Sequence, residues 1–195
     1  FGNAGILSFS PNKTITTGQG GAILTDSDDF HIRLRELKDQ GRPMRGTGGD
    51  DTHDRIGYNF KLTNLQAAIG LAQLEYLDKR IERLKKNYLL YKEGLAHLEG
   101  ISLFPFNIDA GEVPQWVDAC VSRRDELDKH LSSQNVICRK FWLPMHTHAP
   151  YRLPDDGFPN SAKQVPQALW LPSAFSLSDD DIGKVCKLIE QFFNN

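Results

Sequence analysis

Cysteine is scarce: the 195 residues hold three, Cys120, Cys138 and Cys186. An odd number so widely spaced makes a poor disulfide framework and fits a reducing cytoplasm. No CxxC or HExxH pairing occurs. Charge of one sign is lacking too. Lys plus Arg number 23 and Asp plus Glu 25, a formal charge of −2. That balance gives no electrostatic reason to expect nucleic acid as a partner. Long hydrophobic runs are absent, so no segment reads as a membrane span. The start has no charged stretch ahead of an apolar core, and no secretory signal is expected. An initial Met is missing as well. The chain starts at Phe1 and enters "GILSFS" almost at once. A domain seldom begins inside a buried strand, so a piece of a longer protein is expected.

What is present fits a folded domain or two. Apolar residues make up 39% and charged residues 25%, as in globular proteins. "GILSFS" (5–10) and "GAILTD" (21–26) read as short strands around a turn with Gly18, Gly20 and Gly21. "DSDDFHIRLRELKDQG" reads as a helix with Phe30, Leu34 and Leu37 on one face and Gly41 after its end. Residues 42–57, rich in Gly and charge, read as a loop.

"TNLQ" (63–66) is a capping box at the start of a helix expected to run to about Leu98. Leu77, Ile81, Leu84, Tyr88, Tyr91, Leu95 and Leu98 form one stripe. Leu65, Ile69, Ala72 and Tyr76 form another, one residue out of phase. The slip predicts a break or a change of packing partner near 76–78. The basic cluster Lys79, Arg80, Arg83, Lys85, Lys86 reads as a solvated face, with Glu75/Lys79 and Glu82/Lys86 at i, i+4. After Gly100 the pattern is α+β. "ISLF", "QWVDACVS", "VICRKFWL" and "ALWLP" read as strands, "RRDELDKHLSSQ" as a helix. A final helix is capped by Ser178. A domain change is placed near 98–100, giving parts 1–98 and 99–195, and the second is expected to fold by itself from about residue 100.

Lys13 stands in "SFSPNKTITTGQGG", between the first strand and the glycine turn. No GK[ST] closes the stretch, so it is not a nucleotide P-loop. On these residues alone, an ordinary surface lysine is the commoner case. His146 and His148 in "MHTH" could bind a metal at alternate positions, but loop polarity is the favoured reading, and no metal is expected.

The blocks "SFSPNK", "TTGQGGAILTD", "LRELKDQG", "GYNFKLTNLQAAIGLAQLEYLD", "RKFWLPMH" and "LWLPSAFSLSDDDI" follow one another in an order that resembles one family over nearly the whole chain. It is similar to the pyridoxal-phosphate-dependent sugar aminotransferases of the DegT/DnrJ/EryC1/StrS type. The resemblance implies an α/β fold, the C-terminal part of a fold-type I pyridoxal-phosphate aminotransferase. That part would comprise the end of the large cofactor domain with its connecting helix, plus a small α+β C-terminal domain. The missing part would carry most of the parallel sheet, the carboxylate for the pyridine nitrogen and the residue stacked on the ring.

The resemblance also implies roles. Lys13 falls on the Schiff-base lysine, and a primary amine is the group that can condense with the cofactor aldehyde. Ser8 falls on a phosphate-binding serine. Asn59 matches a residue that reaches the cofactor phosphate of the neighbouring subunit, so a homodimer with a shared site is implied. Lys61 sits where many relatives have Arg, keeping the charge without the bidentate fork. His146 matches a histidine often near the sugar; a structural loop histidine is the equal alternative. The implied reaction passes an amino group, with glutamate as donor, to a keto-sugar nucleotide. The "NFKLTNLQAAIG" block most resembles perosamine synthases. A sugar dehydratase using the same cofactor is the second reading, disfavoured because such members have His at the Lys13 position. A non-catalytic, oligomer-forming module is the third.

Overall fold

The computed structural model describes residues 2–43 and 51–194. Phe1 and the middle of the expected 42–57 loop lie outside the described residues. The chain divides into two compact units, Phe1–Leu77 and Asp78–Asn195. This division lies one helix earlier than the boundary expected near 98–100.

In the first unit, β1 (Gly5–Ser8) and β2 (Gly21–Leu24) form an antiparallel hairpin, Gly5 opposite Leu24 and Ser8 opposite Gly21. α1 (Asp28–Lys38) begins at Ser27, whose hydroxyl accepts a hydrogen bond from the Phe30 amide. Beyond its end, Gln40 and Gly41 adopt φ of 61° and 80°, which stops the helix. α2 (Asn64–Leu74) opens on the expected capping box: Gln66 N donates to Thr63 Oγ1 and Thr63 N to Gln66 Oε1. Neither helix buries a residue, and among the described residues of this unit only Thr17 and Gly41 are buried. Ile6 is 81% exposed and Leu65 73%. Exposed Ile6 and Leu7, and Ile23 and Leu24, put apolar side chains on both faces of the hairpin, a pattern suited to a strand pair covered on both faces.

Residues 75 and 76 separate α2 from α3 (Leu77–Leu95). The single helix expected from 63 to about 98 is therefore two, and the break falls where the stripes slip out of phase. α3 opens the second unit and adds Leu84, Tyr88, Tyr91 and Leu95 to the buried residues. The sheet is wholly antiparallel in the order β3 (Ile101–Leu103), β4 (Val117–Val121), β6 (Ala168–Leu171), β5 (Arg139–Lys140). Val117 lies opposite Leu171 and Ala119 opposite Leu169, so these apolar residues share one face. They cluster with Tyr88, Tyr91 and Leu95 of α3. Leu127 and Leu131 of α4 (Arg124–Ser133) and Ile182, Val185 and Ile189 of α6 (Asp179–Asn194) complete the core. Each fully buried leucine or isoleucine stabilises by about 1.5–3 kcal/mol. A short helix, α5 (Pro159–Gln164), precedes β6.

The expected strand "VICRKFWL" shrinks to Arg139–Lys140. Beyond Lys140 the chain leaves the ladder and its rings pack on the opposite sheet face. There Trp116 stacks on Trp170 at 4.4 Å, Trp142 meets Trp170 edge-on at 4.5 Å, and Arg139 lies over the Trp170 ring at 5.0 Å. The basic face of α3 departs from expectation too. Tyr91 Oη donates to Pro172 O at 2.8 Å, and Asn87 Nδ2 donates to Ser173 O and Ala174 O, both at 3.1 Å. Arg83 and Lys86 both pair with Asp179, and Arg80 lies over the Phe175 ring. Arg80, Arg83 and Lys86 of the supposed solvated face thus engage Phe175 and Asp179, while Asn87 and Tyr91 hold residues 172–174.

Candidate functional site

Lys13 sits in a loop closed by its own backbone. Phe9 N donates to Gly20 O (2.9 Å), Thr17 N to Phe9 O (3.1 Å), and Lys13 N to Ser10 O (3.1 Å). Hydroxyls fill in what the amides leave. Thr16 Oγ1 donates to Phe9 O at 3.0 Å and accepts from Gly18 N at 2.9 Å, while Thr17 Oγ1 donates to Gln19 O at 2.7 Å. The Ser, Thr and Gly content of this stretch has a local purpose: short polar side chains satisfy a turn that cannot form a ladder. Two glycines are required. A Cβ on Gly20 would sit 2.6 Å from Thr17 Oγ1, and one on Gly21 2.8 Å from Leu7 O. α2 is fitted to the same loop: Gln66 Nε2 donates to Gln19 O at 2.9 Å, and a Cβ on Gly70 would lie 2.9 Å from Thr17 Cγ2.

Ser8 ends β1, exposed, with its Oγ 3.1 Å from Ser10 Oγ. Lys13 follows on the same loop, half-buried. The structure therefore brings Ser8 and Lys13 onto one hydrogen-bonded element, with Ser10 as a second hydroxyl that the sequence reading did not single out. Its signal was present in the "SFS" alternation, which puts residues 8 and 10 on one side of an extended chain.

Asn59 and Lys61 belong to another element of the same unit. Residues 58–60 run antiparallel against the end of α1, with Asp39 opposite Asn59. Asn59 is exposed. Lys61 Nζ pairs with Asp39 Oδ1. Arg42 joins the same carboxylate at 3.3 Å and reaches Asp51 at 2.8 Å. Hydrogen bonds from Lys61, reinforced by Arg42, hold the Asp39 carboxyl below its usual range.

His146 lies in the second unit and is 4% exposed. Its Nε2 is 3.0 Å from Asp155 Oδ1, and its ring stacks on Phe158 at 4.3 Å. These contacts close a run of short 3-10 turns between Met145 and Gly157. Two of the thiols are poor nucleophiles here: burial pushes Cys138 up to about 12 and Cys186 up to about 11.

The DegT/DnrJ/EryC1/StrS aminotransferase family model matches residues 1–190. The chain belongs to this family. Among curated relatives, the GDP-perosamine synthase of Escherichia coli O157:H7 is 32% identical, aligned over 100% of this chain and 53% of its own length. The GDP-perosamine synthase of Vibrio cholerae is also 32% identical, with 54% of its length covered. Among solved structures, S. venezuelae DesV in complex with a ketimine intermediate superposes with a TM-score of 0.89 at 27% identity, over 98% of this chain and 52% of that one. The α/β fold of this aminotransferase family is thereby established for the chain, which spans about half the length of the curated relatives it matches. None of the helices in the described residues is long and apolar enough to cross a membrane.

Proposed function

We propose that this chain supplies the lysine side of a pyridoxal-phosphate site and that the complete protein transfers an amino group, with glutamate as donor, to a keto-sugar nucleotide. The observation that carries the reading is the Phe9-closed loop, which holds the one primary amine of the stretch, Lys13, five residues from the Ser8 hydroxyl. The residues fit the group. Neutral donors, the hydroxyls of Ser8 and Ser10 and the amide of Asn59, suit a phosphate. Gly20 and Gly21 keep the backbone bare where a Cβ would collide. When bound, pyridoxal phosphate supplies an aldehyde that condenses with amines and a ring that takes up the electron pair of a broken bond.

Lys13 Nζ has two tasks in this reading. It holds the group covalently at rest, and as a free base it moves the proton at the carbon that carries the exchanged nitrogen. Ser8 donates to the phosphate from the end of β1. Asn59 donates to the phosphate of a second copy, so the working form is a homodimer. His146 and Lys61 are each read as substrate-binding from the family resemblance alone, Lys61 in an ion pair that an anionic substrate would share. The names of the perosamine synthases support a 4-amino-4,6-dideoxyhexose as the product sugar. A cytoplasmic setting is part of the reading, in line with the free cysteines among the described residues.

Borohydride reduction in the presence of pyridoxal phosphate, followed by peptide mass spectrometry, should place the pyridoxyl mass on Lys13. Label on another lysine with Lys13 free would sink the assignment. Lys13→Ala should reduce turnover by at least about a thousandfold, as expected when a covalent catalyst is lost.

A further inference from the structure

The segment that carries Asn59 is fixed far more firmly than an ordinary connecting loop. Tyr58 N donates to Leu37 O (2.6 Å), Phe60 N to Lys38 O (3.0 Å), and Gln40 N to Tyr58 O (3.0 Å). The chain reverses through Gln40 and Gly41, both at positive φ. Two glycines then lie back to back: a Cβ on Gly57 would sit 2.1 Å from Gly41 N, and one on Gly41 would sit 1.7 Å from Arg55 O. Nothing larger than hydrogen fits at either place.

This pairing dictates which side chains share a face. Residues directly opposite in an antiparallel pair point the same way, as do residues two apart on one strand. Asp39 lies opposite Asn59, so Asp39, Asn59 and Lys61 share one face. The Tyr58 and Phe60 rings take the other and stack at 5.1 Å. On the first face, the Asp39 carboxylate gathers Lys61 and Arg42. Arg42 is itself braced by Gln40 Oε1 at 2.8 Å and by Asp51. On the same face Asn59 is exposed, its amide open to an outside acceptor.

We propose that Asp39 is a positioning residue. Its backbone pairs with Asn59, its carboxylate anchors Lys61 two residues on, and together they present the Asn59 amide in a single attitude. The proposal rests on the reading that Asn59 meets a cofactor phosphate. Asp39 touches no reacting atom; its role is to spare Asn59 the entropy of ordering a loop at each binding event. Lys61 serves here as the far end of a brace, which a lysine can do as well as an arginine.

The test uses the complete protein with Asn59→Ala, Asp39→Asn, Lys61→Met and the double variant Asn59→Ala/Asp39→Asn. Two quantities are read: pyridoxal-phosphate affinity by absorbance titration, and amide hydrogen exchange at Tyr58 and Phe60. Asn59→Ala should weaken affinity about tenfold and leave exchange unchanged. Asp39→Asn and Lys61→Met should each weaken affinity severalfold and speed exchange at Phe60 about tenfold. The double variant should bind no more weakly than Asn59→Ala alone, because Asp39 acts through Asn59. Unchanged exchange in Asp39→Asn overturns the proposal, and so does a further loss of affinity in the double variant. If Asn59→Ala leaves affinity intact, the reading of Asn59 as a phosphate donor falls. Exchange at Phe60 then still decides, separately, whether Asp39 holds the strand.

Discussion

Asp118 is a residue whose surroundings set its charge. It sits on β4 opposite Trp170, on the sheet face that carries the tryptophans. Burial pushes its carboxyl up to about 6, and the neighbouring Trp170 indole offsets only part of the effect. The unfolded chain would hold this proton only below about pH 4. Between about 4 and 6 the folded state therefore binds more protons than the unfolded state, and stability falls as pH rises through that window. Asp118→Asn, neutral throughout, should raise the melting temperature at pH 8 and bring no gain at pH 4. Equal shifts at both pH values would refute the argument. Nothing in the sequence marked Asp118, since alternation in "WVDACV" assigns it simply to the polar side of a strand. What makes it unusual is a tryptophan arriving from a strand about fifty residues later. The loop around Lys13 was legible for the opposite reason, because its hydrogen bonds join neighbours in sequence, while the role of Lys13 itself came from the family resemblance and not from the stretch.

Elements were legible where a local signal starts or stops them. The capping box at Thr63/Gln66 begins α2 and Ser178 caps α6, as the sequence indicates. The slip between two apolar stripes foretells the gap at residues 75 and 76. β5 was overestimated because "VICRKFWL" has strand composition throughout, whereas only two residues find a ladder partner. α3 hides its polar work for a related reason. Asn87 lies among apolar positions and reads as a blemish, yet it is fully buried and donates to two carbonyls. Asn87→Ala should destabilise by about 2–4 kcal/mol, combining a cavity with two carbonyls left without their donor. Urea unfolding should show the loss as a lower midpoint with an unchanged slope. A change under about 0.5 kcal/mol would mean that water takes over the carbonyls.

For the molecule as a whole, the two units contrast in how they are stabilised. The second has a closed core drawn from α3, α4, α6 and the sheet, while the first leaves most of its apolar side chains open. A polypeptide of residues 78–195 should therefore fold cooperatively. One of residues 99–195, cut at the boundary that the sequence suggested, should not, because it lacks Leu84, Tyr88, Tyr91 and Leu95. Circular dichroism melts of the two would decide, and equal cooperativity would show that α3 is dispensable. The sequence pointed to 98–100 because composition changes there from helix to α+β, but composition does not record which core a helix completes. α3 also carries information of another kind. Its side chains at 83, 87 and 91 engage, turn by turn, Asp179, the Ser173 and Ala174 carbonyls, and the Pro172 carbonyl. The three teeth differ in length and chemistry, so a helix shifted by one turn would offer a guanidinium where an amide belongs and an amide where a phenol belongs. Greasy surfaces tolerate sliding; this one works as a cut key, admitting a single register of α3 on the segment it holds.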